Sequence, residues 1–302
     1  MLKLQVILVL ASLFLSISTQ ECDASEVISI KSGGMYFNTT WSSGSTYSLT
    51  GNIKVAKDVV LEVSPGAKII GNNFKIRIDG NVMLLGTEVS PIIVEDTHFV
   101  AGKGDAGHLE IRSASLEGGS VYSMKHFKGL KASVNISDST LSNMESMYLF
   151  YPPRNMSIVR SVFDRCGGIS VGSEAVQIEI SNNLFHRQTT DFAIKNWARM
   201  PWIISQDESD DGKNYYYALD MIVSGNTFTC TDRVALKLEP AYNDALMQKA
   251  QNNYYSTTDE EHILSEMLYD KRNNHRVQNE IQFRPFLNKP HEDTPRRPDF
   301  HC

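Results

Sequence analysis

Tyr47-Ser-Leu-Thr-Gly-Asn-Ile-Lys-Val-Ala-Lys-Asp-Val-Val-Leu-Glu-Val-Ser-Pro-Gly-Ala-Lys-Ile-Ile70 decides the fold. Apolar residues alternate with polar ones at Ile53 and Val55, at Val59, Leu61 and Val63, and again at Lys68 and Ile69. Alternation over four or five residues predicts half-buried strands. Gly51, Asp58 and Pro65-Gly66 break the run into turns too short to hold a crossover helix. Strands this short and this closely connected predict a parallel β-solenoid, in which each strand stacks on its counterpart one coil later.

The pattern continues through Phe74-Lys-Ile-Arg-Ile-Asp79, through Asn81 to Val94 around a Gly86–Pro91 turn, and through His108 to Leu116. Four later segments repeat one design, an apolar strand, a small or polar turn and a closing apolar residue. They end at Leu141, Phe163, Phe185 and Phe228, in steps of 22, 22 and 43. A step of 22 is one three-strand coil, and the step of 43 is two coils or one coil with an insertion. Asn182, Asn183 and Asn226 fall at equivalent turns, where stacked amides can hydrogen-bond along the rod. The insertion, about 196–219, would leave as a loop on one face.

The C-terminal part differs in kind. Thr258 and Glu261 read as a capping box. Ile263, Leu264, Met267 and Leu268 then form an apolar stripe at helical spacing, and Glu280 to Phe283 reads as a strand. A helix and strand over about 252–288 would cover the last coil, whose open edge would otherwise invite aggregation. Residues 289–302 read as an extended tail. At the other end, Lys3 followed by the apolar run Leu4–Ile17 and the small Ser16-Ile17-Ser18 reads as a signal peptide over 1–18. The expected organisation is one domain over 19–288, secreted and extracellular.

The chain has 302 residues and a net charge of -6. No clustered basic face points to nucleic acid, and no later segment is apolar enough to be membrane-embedded. The four cysteines, Cys22, Cys166, Cys230 and Cys302, are disulfide candidates in an exported chain. Cys166 and Cys230 follow Phe163 and Phe228 with one coil between them. That separation, about 9.6 Å, exceeds what a disulfide spans and argues against that pair. Asn38, Asn135 and Asn155 open glycosylation sequons and are expected on surface turns.

The stretches Thr40-Trp41, Tyr47–Gly51, Val55, Leu61–Gly66, Gly80 to Thr87 and Pro91-Ile92, with Asn253–Asp259, Tyr269-Asp270 and Ile281–Phe286 near the end, resemble the right-handed parallel β-helix superfamily. More narrowly they resemble extracellular β-helix proteins of the Bark beetle and bacterial surface type. Tyr255-Ser256 stands where that family usually has Trp-Gly. The resemblance covers roughly residues 33–288. It implies an all-β, right-handed parallel β-helix with a C-terminal capping helix and strand. Such a fold hosts lyases, hydrolases and adhesins alike and implies no activity.

Catalytic marks of β-helix enzymes are missing. Asp210-Asp211 is the sole Asp-Asp pair and is predicted in a loop, and Arg199-Met-Pro-Trp-Ile-Ile lacks the second arginine of a lyase motif. Lys195, Lys237 and His186 lie beside predicted strands and read as solvated, outward-facing side chains. Asp207-Glu-Ser-Asp-Asp-Gly212 matches the first half of a calcium loop, with Asp207, Ser209 and Asp211 as ligands and Gly212 at the sharp turn. The twelfth position, where a bidentate glutamate belongs, is Ala218. Trp197, Trp202, Tyr215, Tyr216 and Tyr217 flank these acids as a candidate surface for an extracellular glycan or protein. The expectation is a non-catalytic binding or structural module that uses the loop face, with calcium as its one candidate ion and no organic cofactor. The alternative is a polysaccharide lyase or glycoside hydrolase.

Overall fold

A computed structural model describes residues 26–101, 107–123, 132–149, 156–172, 178–196, 221–230, 233–239, 248–277 and 279–297. The architecture is a parallel β-solenoid of three-strand coils, in two of which the first and second strands run together as Ile92–Ala101 and Ala114–Ser123. The first and second strands of the coils form two ladders within one 17-stranded sheet, and the third strands form a ten-stranded sheet. The opening stretch supplies Thr46–Leu49, Ile53–Val55 and Val60–Val63 as one coil, with Lys68–Ile70 starting the next. Ile53, Val55, Val59, Leu61, Val63 and Ile69 are all buried, as the alternation requires. Asp58 and Gly66 turn the chain at φ 62° and 76°.

In-register stacking builds the core as continuous rows. Along the first ladder the inward row runs Tyr47, Ile69, Val94, Leu116, Leu141, Phe163, Phe185 and Phe228. The repeat alignment was therefore a structural register. Phe185 pairs directly with Phe228, and Ile178–Ser181 pairs with Met221–Ser224. The step of 43 is one coil that carries an insertion, since residues 197–220 lie between its second and third strands. The last three members of the row stack as rings, Phe163–Phe185 at 4.9 Å and Phe185–Phe228 at 5.2 Å, and Tyr255 on the next coil extends the stack at 5.6 Å from Phe228.

A polar row runs beside it at the corner between the third and first strands. Asn226 Oδ1 accepts from both the backbone N and Nδ2 of Asn183, each at 3.0 Å, while its own Nδ2 donates to Ile180 O at 2.8 Å. Asn253 repeats this one coil on, accepting from Asn226 and donating to Val223 O. In the other direction Asn183 Oδ1 accepts from Ser161 N, Ser161 Oγ from Ser139 N and Ser139 Oγ from Ala114 N. Each of these five side chains is buried. Asn182 stands apart. It holds the left-handed position before the row, at φ 56°, and its Oδ1 overlies Gly225, where a Cβ would lie 2.0 Å away.

The end of the chain departs from expectation in detail. Asp259, not Thr258, caps the helix, its Oδ1 accepting from Glu261 N and His262 N, because Thr257 Oγ1 instead holds Asp259 N. Only Glu260–His262 is α-helical. Ile263–Met267 widens into a π-turn that turns Ile263 and Met267 into the core, and Leu268–Tyr269 is already a strand of the second ladder. Ile281–Gln282 closes the ten-stranded sheet. The tail is anchored, not simply extended: it turns at His291–Thr294, and buried Thr294 donates to Gly225 O at 2.7 Å.

Cys166 is a free, buried thiol, so it forms no bridge to Cys230. Cys22, Cys302 and the predicted signal peptide lie outside the described residues.

Phe185→Ala would open a cavity between two rings, with an expected cost of about 3–5 kcal/mol in denaturant unfolding. Asn226→Ala removes the side-chain partner of Asn183 N and of Ile180 O and leaves Asn183 Nδ2 with Ile158 O alone, and we expect a loss of about 3 kcal/mol by the same measurement. Burial pushes the Cys166 thiol up to about 12. It should resist alkylation at neutral pH in the folded protein and react once denaturant unfolds it, which mass spectrometry of the Cys166 peptide reads directly.

Candidate functional site

Because successive strand residues face opposite ways, the row that packs the interior has a counterpart on the outside. On the second ladder the outward row runs Lys54, Arg77, Val100, Tyr122, Tyr148, Ser170, Lys195, Lys237 and Tyr269, one residue per coil. Neighbouring rungs stand about 4.8 Å apart. Lys195 is followed by Asn196, the last residue of its strand, and the insertion begins there.

At its N-terminal part the row is closed on itself. Asp79 takes ion pairs from Lys54 at 2.9 Å and from Arg77 at 3.1 Å. In the middle, Tyr122 and Tyr148 stack at 5.8 Å with 3° between ring planes, and Tyr122 OH donates to Glu145 Oε2 at 2.9 Å. Stacked this way along the rod, the rings turn edges and hydroxyls outward. The surface they offer is one of hydrogen-bonding groups, not of flat aromatic faces. Burial raises the Tyr122 pKa, and Glu145 adds to it.

Ser170, on the next rung, is fully buried with an Oγ that has no hydrogen-bond partner. Beyond it two ammonium groups share adjacent rungs. Lys237 Nζ lies 2.9 Å from Asp191 Oδ2 and 3.8 Å from Glu239 Oε1, and Lys195 Nζ lies 3.6 Å from the same Glu239 oxygen. Lys195 also sits 4.5 Å over the Phe192 ring, and Lys237 sits 5.2 Å over Tyr269. The two side chains are 12 % and 19 % exposed, so they are mostly covered where solvated lysines were expected. His186 departs further from that expectation. It faces outward on the first ladder yet is buried, with Nδ1 2.8 Å from Asp164 Oδ1.

The two lysines shift in opposite directions. Burial is the largest influence on Lys195 and lowers its pKa against the pull of Glu239. Burial also opposes the Lys237 charge, but the hydrogen bond and charge of Asp191 outweigh it and the pKa is raised. The same hydrogen bond from Lys237 holds Asp191 below the usual carboxylate range. Among the described residues, two cations and two carboxylates thus meet in one cluster, suited to hydrogen-bonding a polar partner. Lys195 is the member closest to acting as a base.

Trp197, Trp202, Asp207, Ser209, Asp211 and Tyr215–Tyr217 lie outside the described residues, as does Asn155. Among the described residues no group of three or more His, Cys, Asp or Glu side chains could hold a metal ion. Of the other sequon asparagines, Asn38 is exposed on a turn, but Asn135 is half-buried in mid-strand between Glu110 and Ser157, not on a turn. The sequence pointed to Lys195 and Lys237 singly. The sequence left the step of 43 open between two coils and one coil with an insertion, and the strand pairings across it show one coil, with Lys195 directly beside Lys237. No protein-family model, curated protein or solved structure matches the chain.

The opposed shifts fix a sign test. Asp191, lowered on folding, contributes stability at neutral pH that is lost as pH falls through the carboxylate range. Lys237, raised, contributes below the ordinary lysine pKa and loses it as pH climbs past its own. Asp191→Asn should therefore move the Lys237 titration down. In amine-acylation mapping of the wild type, Lys195 should become reactive at lower pH than Lys237.

Proposed function

We propose that this chain is a secreted, extracellular β-solenoid that binds a polar partner without turning it over. The partner would be a glycan or the surface of another protein, and the binding face is the outward row from Tyr122 to Tyr269 with the adjoining insertion. One observation carries the reading. Tyr122, Tyr148, Lys195, Lys237 and Tyr269 bring hydroxyls and ammonium groups to one row at coil spacing, interrupted by buried Ser170, with Glu145, Asp191 and Glu239 as carboxylate partners. Such a face can trade hydrogen bonds with a polyhydroxyl chain or a polar protein strip without burying an unpaired charge. The sequence of the insertion, with its tryptophans, tyrosines and half calcium loop, adds further aromatic and acidic groups to this reading. Right-handed winding and kinship with extracellular β-helix proteins belong to the same proposal, supported by the three-strand coil and the helix-plus-strand closure.

A second reading, a polysaccharide lyase, rests on Lys195 alone. A partly buried lysine with a lowered pKa beside a second cation is how a base and a neutralising group for a uronate can be arranged.

One experiment separates them. The exported protein is applied to a glycan array with and without calcium and incubated with uronate polymers while unsaturated products are followed. Binding without product is expected, weakened about tenfold by the paired change Lys195→Ala and Lys237→Ala. Release of unsaturated uronate would establish the lyase reading in its place.

A further inference from the structure

The turn between strands Gly33–Met35 and Thr39–Trp41 carries Tyr36-Phe37-Asn38, and Thr39-Thr40 open the second strand. Tyr36 is 70 % exposed and Phe37 83 %, and they are the exposed aromatic side chains among the described residues. Two adjacent large aromatics left in water are unusual enough to ask what covers them.

The asparagine beside them is oriented. Its Oδ1 accepts a hydrogen bond from Val60 N, one coil on, at 3.0 Å. Because the donor is a backbone N–H, the acceptor must be the amide oxygen, and Nδ2 is directed away from that bond. Tyr36 is also placed. A Cβ at Gly34 would fall 2.6 Å from its ring, so the ring lies directly on the Gly34 backbone. One exposed turn therefore carries the Asn38 amide, oriented by Val60, together with the Tyr36 ring seated on Gly34 and the exposed Phe37, within an Asn-x-Thr sequon.

We infer that Asn38 carries an N-linked glycan whose first N-acetylglucosamine lays its CH face on Tyr36 and Phe37. The inference rests on the extracellular reading, since the modification requires passage through the secretory route. The donor is a lipid-linked oligosaccharyl diphosphate. Nδ2 forms a bond to the sugar C1, and the C1–O bond to the diphosphate breaks. The diphosphate leaves with the electron pair, and Nδ2 gives up one proton. Oδ1 is untouched, so the bond from Val60 N survives the modification. The sugar covers the aromatic surface that the bare chain exposes. Asn135 offers neither feature, being half-buried with neighbouring rungs about 4.8 Å to either side.

The test is expression of the full chain in a secreting eukaryotic cell, with glycopeptide mass spectrometry of the protein in the medium. Melting is then compared before and after enzymatic deglycosylation, for the wild type and for Tyr36→Ala with Phe37→Ala. Occupancy of Asn38 in most molecules is expected. Removing the glycan should lower the wild-type melting temperature by about 2–4 °C, and that of the double variant by clearly less. Secreted protein with a bare Asn38 would overturn the inference and leave the extracellular reading standing. An equal melting shift in both proteins would overturn the stacking. A chain that never reaches the medium would overturn both the inference and the extracellular reading.

Discussion

Every coil of this protein depends on its neighbour, and the row Ser139, Ser161, Asn183, Asn226 and Asn253 is where that dependence is enforced. Hydrophobic alternation excludes a slip of one residue, which would turn every core side chain outward, but it discriminates poorly against a slip of two, which keeps the same face inward. A buried amide does not slide. Asn226 Nδ2 must find Ile180 O and its Oδ1 must find Asn183 N, and a shift of two residues would leave those groups without partners in the core. The aromatic row from Phe163 to Tyr255 runs through the same coils and supplies the burial that the polar row does not.

A rod held this way is regular inside and free to vary outside. Inward positions are fixed by packing, and outward positions on the same strands are fixed only by solubility and by what they meet. The second ladder shows the consequence. Its inward neighbours Ile169, Ile194, Leu236 and Leu268 are interchangeable aliphatics, while the outward row changes from hydroxyl to ammonium and back. The insertion leaves the coil immediately after Asn196 and rejoins at Met221 without disturbing the pairing on either side. The rod therefore works as a ruler that places Lys195, Lys237 and their carboxylates one coil apart.

The fold was legible from the opening stretch because alternation and turn residues are local signals. The 22-residue step was legible because Leu141, Phe163 and Phe185 repeat the same inward position. Asn183 and Asn226 could be seen as a stack. Ser139 and Ser161 could not, since serine at a turn carries no mark of being buried. Asn253 was hidden by the irregular spacing before it. The helix was misjudged by one residue at its cap and by several at its end, where Leu268 answers to the sheet instead of to helical periodicity. The candidate site was the least legible part. Burial of Lys195, and the partnership of Asp191 with Lys237 across 46 positions, are products of coil stacking that no local pattern encodes.

The measurement closest to the centre of this account is native-state hydrogen exchange at single-residue resolution on the amides of Ser139, Ser161, Asn183 and Asn226. Each donates to a buried side chain of the next coil. If that row locks the register, these four amides exchange only through global unfolding, at the slowest rate in the molecule. Their exchange at the rate of the exposed turns, with the ladder amides beside them still protected, would contradict it.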